Sequence, residues 1–591
     1  MSFNRYYQDE LAYLRELGRE FSDANPKLAP FLAERGSDPD VERLLEGFAF
    51  LSGRLRQKLD DDLPELTHSL VALLWPHYLR PVPSMSVLQF RPTINAVTES
   101  KHIPRGVEVD SIPVAGTSCR FRTCYDVEIH PLAIDRVTLR KDGRGSVLEL
   151  EFLLHTGASL EKLALKNLRL HLHGDPYHSR TLYLWMNRYL QGITVRAAGE
   201  TQGAPEFNLN PDNLQPAGFA DEEALLPYPP TVFLGYRLIQ EYYGLPEKFL
   251  FLDLKGLDPL VTFGKMTERF VVSFEFSRPM EDAVRVREDN IRLFCTPIVN
   301  LFSRDADPIR VDQTKVEYRV RPSGRDSAHL ETYSIDHVEG WLSGSKEKRK
   351  RVYSAFESYD HRPEDNPMDP RIYYRTRLHP AVVGRSVETN ISFVSQDESH
   401  TVPRTETISL QLTCSNRNLP EKLKVGDVRV ATDSSPEFCT FRNIIPANPS
   451  ISPPLGAGLH WNLISNMALN YVSLASVDAL RSILYTYDFR IHYDRQAERE
   501  SRQRLDGLVD ARVEPVDLLH KGMPIRGLRT YLDMRESNFA GEGDMYLMAS
   551  VLNVFFALFA SVNSFHQLVV RGVEHGEIYR WSTRIGQQPL L

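Results

Sequence analysis

The sequence of residues 544–565, DMYLMASVLNVFFALFASVNSF, decides how the C-terminal part of the chain folds. Of the 18 positions Met545–Val562, 15 are apolar, so a helix here has no polar face. Such a helix is either a core helix or a membrane span. The run is at the lower edge of spanning length, Glu542 and Asp544 flank it, and no basic cluster anchors either end. We therefore predict a buried core helix in which Asn553 is hydrogen-bonded, because an unpaired buried amide is costly.

The first 80 residues carry two apolar stripes with helical spacing. The first consists of Phe3, Tyr7, Leu11, Leu14, Leu17 and Phe21, and the second of Val41, Leu44, Leu45, Phe48, Leu51, Leu55 and Leu59. These three- and four-residue steps place each set on one helix face. Asp38 and Pro39 mark the start of the second helix. The sequence Asp62–Glu65 predicts a new start, and hence a third helix that ends at Trp75.

This N-terminal segment is acidic as well as amphipathic. Residues 1–70 hold nine Lys/Arg and 14 Asp/Glu, which is most of the chain's net charge of -8. One interpretation is three amphipathic helices with solvated acidic faces. The other is that so short a segment buries little surface alone and needs partner helices from other chains. On the second interpretation the candidate interface residues are Phe3, Tyr7, Leu11, Leu14, Leu17, Phe21, Val41, Leu44, Leu45, Phe48, Leu55 and Leu59.

From about Met85 the apolar period changes from helical to two, and short runs are bounded by Pro and Gly. This pattern predicts mostly antiparallel β-structure. The predicted strands are Ser86–Phe90, Cys119–Tyr125, Val147–Leu154, Leu168–Leu172, Phe270–Phe276, Lys315–Val320, Leu330–Val338, Ile408–Cys414 and Val428–Ala431.

The chain is therefore predicted to have an α+β fold with four parts. These are a helical bundle segment (1–84), a β-rich module (85–310) with a long surface excursion near 199–232, a second β-rich module (311–455), and a C-terminal α+β module (456–591) that contains the buried apolar helix. Residues 343–370 are interpreted as a mobile loop and residues 495–504, which are nearly all polar, as a solvated connector.

Composition excludes several classes of protein. With 591 residues, of which 42% are apolar and 25% charged, the chain is globular. Its negative net charge disfavours general binding to nucleic acid or anionic membranes. Five cysteines, an odd number, do not form a disulfide framework and indicate a reducing compartment. The N-terminus lacks the basic and apolar regions of a signal peptide. We expect a cytoplasmic protein.

Signals for catalysis or metal binding are weak throughout. His171 and His173 share a face of a predicted strand, but no third ligand is close in sequence. No Cys-x-x-Cys pair, phosphate-binding loop, zinc-protease motif or nucleophile elbow occurs. The single basic run, Lys346–Arg351, lacks the interleaved aromatic residues of a nucleic-acid site. We therefore expect no catalytic residues, no metal site and no cofactor.

Nine segments along the chain are distinctive as sequences. They are YYQDELAYLRELGREF (6–21), DPDVERLLEGFAFLSGRLRQKLDDDLPEL (38–66), WPHYLRPVPSMSVLQF (75–90), CRFRTCYDVEIHP (119–131), CTPIVNLFSRDADPI (295–309), LQLTCSNRNLP (410–420), GLHWNLISNMALNYVSL (458–474), GEGDMYLMASVLNVFFALFASVNSF (541–565) and RWSTRIGQQPLL (580–591). In this order, from one end of the chain to the other, they resemble the TssF family, the baseplate wedge subunits of bacterial type VI secretion systems.

The resemblance implies a structural protein of the bacterial cytoplasm, in a baseplate docked at the inner membrane through the membrane complex. Family members pair with a second TssF copy and one TssG, and TssK, TssE, the VgrG spike and neighbouring wedges surround this core. The family is also similar to wedge proteins of contractile phage tails. By that analogy residues 3–21 and 41–59 would form a helical bundle with partner chains, and residues 460–591 would contact the next wedge.

Two other functions remain open from the sequence. A cell-wall-lytic enzyme of a contractile machine needs two carboxylates that only the fold brings together. A nucleic-acid-binding protein would use the loop 346–351. Neither has a specific motif.

Overall fold

The structure is a computed structural model. It describes residues 7, 11, 14, 39–93, 97–142, 145–163, 165–198, 205–228, 233–264, 267–281, 284–312, 314–342, 350–356, 372–381, 386–395, 406–455, 463, 476–520, 523–562 and 564–586. Only the backbone is described at 39–42, 45, 55–67, 142, 342, 372, 395, 520 and 523.

The helices with described bounds lie near the two ends of the chain and in its first β-rich half. In chain order they are α1 (Pro39–Leu74), α2 (Leu160–Leu163), α3 (Pro176–Leu184), α4 (Gly235–Gly244), α5 (Val477–Tyr487), α6 (Arg495–Asp506) and α7 (Glu542–Leu558).

Helix α1 is a single helix of 36 residues, so the predicted new start at Asp62–Glu65 is wrong. Pro64 removes one backbone hydrogen bond and crowds the preceding turn, which costs about 3 kcal/mol in a helix interior. The apolar period nevertheless continues in phase beyond it, at Leu66 and Leu70, so the sequence keeps one apolar helix face on both sides of Pro64. The helix ends as predicted, with the Trp75 N–H donating to the Val71 carbonyl (2.7 Å) before Pro76.

The middle of the chain is built from short strands. The first fifteen are β1 (Met85–Pro92), β2 (Lys101–Ile103), β3 (Glu108–Ser111), β4 (Arg120–Thr123), β5 (Val127–Ile129), β6 (Leu132–Asp142), β7 (Gly145–Leu154), β8 (Asn167–Leu172), β9 (Leu190–Ala197), β10 (Glu206–Leu209), β11 (Leu214–Ala217), β12 (Phe251–Lys255), β13 (Arg269–Phe276), β14 (Ile291–Leu293) and β15 (Cys295–Val299).

The later strands continue to the C-terminal part. They are β16 (Phe302–Asp305), β17 (Ile309–Val311), β18 (Tyr318–Arg319), β19 (Glu331–Leu342), β20 (Lys350–Val352), β21 (Ser354–Ala355), β22 (Ile372–Pro380), β23 (Val387–Ser395), β24 (Glu406–Ser415), β25 (Val428–Ala431), β26 (Cys439–Asn443), β27 (Leu508–His520), β28 (Met523–Met534), β29 (Phe565–Gly572), β30 (Ile578–Arg580) and β31 (Arg584–Ile585).

These strands form several sheets that are almost entirely antiparallel; of the described pairs, β21–β22 and β28–β29 are parallel. A six-stranded sheet has the order β25-β3-β4-β15-β1-β26, and two further sheets have the orders β10-β9-β13-β7-β6 and β11-β12-β8-β14. Sheets β16-β24-β19-β20 and β18-β23-β22-β21 share one apolar core around Leu330, Val338, Ile391 and Leu412. The α+β fold is confirmed, and each of the nine predicted strands contains an observed strand, although Lys315–Val320 contains only the two residues of β18.

Helix α7 is the buried apolar helix that the sequence predicts. Its side chains are buried on every side from Gly543 to Ala557, and it packs against α3, α4 and β29. A Cβ atom at Gly543 would lie 2.4 Å from the Arg180 carbonyl oxygen, so glycine allows α7 to begin against α3. The helix ends at Leu558, before the predicted Phe565, because a turn closed by the Ser564 N–H and the Ser561 carbonyl leads into β29.

Of the helices that the structure describes, none combines the length and the apolarity that a bilayer-crossing segment needs.

Truncation inside α7 provides a test of its role in the core. Phe555 is completely buried and contacts the rings of Phe233, Phe556 and Phe559. We expect Phe555→Ala to lower the free energy of unfolding by about 3–5 kcal/mol, since it removes a buried ring and leaves a cavity. Denaturant unfolding of the purified chain measures this, and an unchanged midpoint would contradict the burial.

Two segments interpreted as loops contain regular structure. The predicted connector 495–504 lies in α6, whose N-terminus is capped by Asp494, the acceptor for the Gln496 N–H (2.8 Å). Its buried stripe consists of only Ala497, Ser501 and Leu505, which is too narrow to be visible as a hydrophobic pattern. The predicted excursion 199–232 contains β10 and β11, and residues 199–204 and 229–232 are outside the described part.

The chain divides into two compact units, 1–75 with 455–464, and 76–454 with 465–591. The predicted module boundaries after 84, 310 and 455 stay predictions, and most of the predicted loop 343–370 lies outside the described residues.

Candidate assembly interface

Helix α1 presents an apolar stripe to solvent. Leu44 is 74% exposed, Phe48 60% and Leu51 63%. Their spacing of four and three residues puts the three side chains on one face of the helix. Full burial of a Leu or Phe side chain contributes about 1.5–3 kcal/mol, so a partner that covered this stripe would gain several kcal/mol.

The opposite face of α1 is already covered. Ala49 and Gly53, one turn apart, are both buried. They lie about half a turn around the helix from Leu44 and Leu51. The helix therefore buries small residues on one face and exposes large apolar residues on the other. A surface helix of a soluble protein usually buries its large apolar residues and exposes its polar ones. Such exposed apolar patches mark interaction sites in soluble proteins.

The predicted interface residues fall into three groups. Leu44 and Phe48 are exposed on α1, and Tyr7, Leu11 and Leu14 are helical and half-buried. The backbones of Val41, Leu45, Leu55 and Leu59 belong to α1, whereas their side chains lie outside the described residues, as do Phe3, Leu17 and Phe21 entirely. Their role in an interface stays a prediction.

The candidate interface omitted some exposed apolar residues of α1. Leu51 belongs to the second apolar stripe but is not among the predicted contact residues, and Phe50, Leu73 and Leu74 are also exposed. The same helical period identifies Leu51, because it lies seven residues after Leu44. Phe50 points to another side of the helix, so its exposure could not be inferred from the stripe.

Of the two histidines that the sequence singles out, His171 lies in the core and His173 is half-buried. His171 is 1% exposed and lies against the Phe251 ring, with centroids 4.3 Å apart. His173 follows the end of β8, and the two imidazole centroids are 6.2 Å apart. In the described part of the chain no group of three His, Cys, Asp or Glu side chains could hold a metal ion.

Buried histidines make the stability depend on pH. Burial lowers the pKa of His77, His171 and His566 to about 3, below the value of about 6.5 in an unfolded chain. Between these pH values the histidines are protonated in the unfolded chain but neutral in the folded one. The free energy of unfolding therefore falls as the pH decreases from 6.5 towards 3. Each such histidine contributes a slope of about 1.4 kcal/mol per pH unit between these values.

We expect His171→Phe to reduce this slope by about 1.4 kcal/mol per pH unit between about pH 4 and pH 6, since one titrating group is removed. Denaturant unfolding of both proteins across this range measures the difference. Parallel stability curves for the two proteins would contradict a neutral buried His171.

Two buried ionic networks fix the elements around α7 and α4. Asp544 at the start of α7 accepts from Arg180 Nη1 of α3 (2.6 Å), and its second oxygen lies 3.2 Å from Arg504 Nη2 of α6. Glu241 of α4 pairs with Lys248, and both side chains are completely buried. Glu241 Oε1 also accepts the N–H groups of Leu225 and Leu226, which ties the segment after β11 to α4.

Comparison with known proteins identifies relatives along the whole chain. A family model described as "Type VI secretion system, TssF" matches residues 1–588. Type VI secretion system component TssF1 of Pseudomonas aeruginosa (strain PAO1) is 32% identical over 631 aligned positions, which span 99% of each chain.

Solved structures give the same result. A chain of a TssK-TssF-TssG baseplate subcomplex, determined by cryo-electron microscopy, has a TM-score of 0.74 and 32% identity over 92% of this chain and 99% of its own. A chain of the baseplate complex from the type VI secretion system has a TM-score of 0.62 and 28% identity over 98% and 99%.

These similarities define the class of protein: the chain is a structural subunit of the baseplate of the bacterial type VI secretion system. A full-length family match and a 32% identical relative then specify which subunit it is. The chain belongs to the TssF family.

Proposed function

We propose that this chain acts as a scaffold without catalytic activity, and that its α1 stripe is a contact with other baseplate subunits. The observation that carries the proposal is the exposure of Leu44, Phe48 and Leu51 on one helix face. Exposure of three large apolar side chains to water is unfavourable for an isolated chain. When a partner helix covers them, they form the apolar centre of an interface.

The first partners that we propose are TssG and TssK. A relative of this chain is solved in a TssK-TssF-TssG subcomplex, and that similarity supports the assignment. A second copy of the chain, TssE, the VgrG spike and the neighbouring wedges complete the proposed set. Residues 3–21 and 41–59 form the bundle with partner chains, and the region around residues 460–591 forms the contact with the next wedge. The proposed location is the cytoplasm, with the baseplate held at the inner membrane through the membrane complex.

Co-expression with TssG and TssK tests the assembly. We expect one complex of defined mass that contains all three proteins, with more than one copy of this chain per TssG. Native mass spectrometry measures the stoichiometry. Purification of this chain as a monomer that binds neither protein would contradict the proposal.

The absence of catalysis is tested separately. The purified complex, incubated with bacterial cell-wall material, is expected to release no soluble fragments above the buffer control. Sustained release that persists through purification would favour the lytic alternative, which needs a carboxylate pair.

A further inference from the structure

Three arginines surround Gln89 on one face of the six-stranded sheet. Arg442 of β26 lies directly opposite Gln89 of β1, and Arg91 follows Gln89 by two residues, on the same side of β1. Arg292 of β14 reaches the same glutamine, and its Nη1 donates to Gln89 Oε1 (3.3 Å). Opposite and diagonal neighbours on paired strands are about 5–8 Å apart, so the three side chains form one arginine cluster.

The two exposed members of the arginine cluster have no counter-charge. Arg292 is largely buried and pairs with Asp289 (2.8 Å). Arg91 and Arg442 are exposed, and in the part of the chain that the structure describes neither side chain forms an ion pair or a hydrogen bond. Partial burial and the charges of Arg442 and Arg292 lower the pKa of Arg91, against the opposite effect of Asp289, because nearby positive charges disfavour the protonated form. The isolated chain therefore holds two like charges side by side.

The neighbouring strands bring cations and no acids to this surface. Together β1, β14, β15 and β26 carry three arginines and no Asp or Glu. Beyond Arg91, the Thr93 N–H donates to the Phe438 carbonyl (3.1 Å). The ring of Phe438 in turn lies 4.8 Å from Lys101 Nζ, which adds a fourth cation. The surface thus has a local excess of positive charge, although the net charge of the chain is -8.

We propose that Arg91 and Arg442 bind an acidic segment of another baseplate subunit. Carboxylates are the complementary groups, because a guanidinium presents a planar fork of N–H donors that two carboxylate oxygens accept. An acidic segment also offsets the repulsion between the two arginines. Nucleic acid is a poorer occupant, since the negative net charge of the chain repels a polyphosphate. This inference rests on the proposed function, because it takes the acidic segment from the subunits that assemble with this chain.

The first test removes both exposed charges. We expect Arg91→Gln/Arg442→Gln to increase the dissociation constant of the chain for the co-purified TssG and TssK at least about tenfold, since charge-assisted contacts are lost. The difference from the parent should shrink as the salt concentration rises from about 0.05 to 0.5 M, because salt screens exposed charges. The melting temperature of the isolated chain should stay the same or rise, since the repulsion is removed.

Arg310→Gln/Arg321→Gln is the matched control. Both arginines are exposed, and neither side chain forms an ion pair within the described residues. Arg310 lies on β17 and Arg321 follows β18, both outside the six-stranded sheet, so this variant should bind as the parent does. If Arg91→Gln/Arg442→Gln bound equally tightly, the proposal would be overturned. A lower melting temperature of that isolated variant would also overturn it, because the fold itself would then use the two arginines.

The second test identifies the occupant and does not depend on how that variant folds. A photo-crosslinking residue replaces Thr440, which is exposed on β26 directly opposite Arg91, in the assembled complex with TssG and TssK. Mass spectrometry is expected to find crosslinks to a peptide of another subunit that carries several Asp or Glu residues. The same residue at Ser409, which is exposed on β24, is the control for chance contacts.

Crosslinks from position 440 only within the same chain, only to a segment without acidic residues, or none, would overturn the proposal while the complex itself remained. A titration with inorganic phosphate covers the remaining source of an anion. If phosphate bound the isolated chain and Arg91→Gln/Arg442→Gln lost that binding without any change in the complex, the cluster would be a site for a free anion and the proposal would be overturned. If no complex formed with either partner, the proposed function would fail, and this inference with it.

Discussion

Replacement of both Leu44 and Phe48 by Asp is expected to abolish co-purification of the chain with TssG. Each substitution places a carboxylate where a partner helix would bury an apolar side chain. Burial of an unpaired charge costs several kcal/mol, and the lost apolar contact adds about 1.5–3 kcal/mol per site. The combined effect corresponds to at least a thousandfold weaker complex, since 1.4 kcal/mol is a factor of ten.

The same change should leave the isolated chain intact. Both side chains are more than half exposed in the chain alone, so the double variant should unfold within about 0.5 kcal/mol of the parent. Val316→Asp is a suitable control, since Val316 is 89% exposed outside α1 and its substitution should preserve the complex. Aggregation or unfolding of the Leu44/Phe48 variant on its own would show that the stripe belongs to the intrachain core.

Asp544→Ala is expected to lower the free energy of unfolding by about 3–5 kcal/mol. Removal of one partner from a buried ionic group leaves the other charges without compensation, and here two arginines depend on one carboxylate. Arg180 donates to it at 2.6 Å and Arg504 lies 3.2 Å from it. The substitution therefore affects α3, α6 and α7 together. Chemical denaturation at neutral pH measures the change.

Asp478→Ala is the matched control for this effect. Asp478 also pairs with an arginine, Arg481, at 3.4 Å, but its side chain is 93% exposed. Solvent-exposed pairs contribute about 0–1 kcal/mol, so this variant should remain close to the parent protein. If the two variants lost similar stability, the buried position of Asp544 would not matter.

The parts of the fold that the sequence predicted have strong apolar periods. Helix α7 was recognised because almost every position is apolar, and strands such as β7 because buried and half-buried side chains alternate along them. The β27–β28 hairpin was missed. Its strand β27 alternates Val509, Ala511 and Val513 with charged residues, so the period-two signal of a strand was present there and was overlooked.

Other features depend on tertiary contacts that no local pattern encodes. The continuation of α1 through Pro64 opposes local propensity. Helix α6 has only three buried positions, and its Arg504 reaches Asp544, 40 residues later in the chain. The sequence correctly singles out Asn553 as a buried amide, but the expectation that it would be paired is wrong for its Oδ1 atom, which finds no hydrogen-bond donor among the described residues.

The unbroken length of α1 has a mechanical consequence for the baseplate. At a rise of 1.5 Å per residue, its 36 residues extend about 54 Å along the helix axis. Because no loop interrupts the helix, a displacement at one end is passed to the other end through continuous helical backbone. A subunit bound to the Leu44–Leu51 face would therefore be linked through α1 to Leu74, 23 residues further along the same helix.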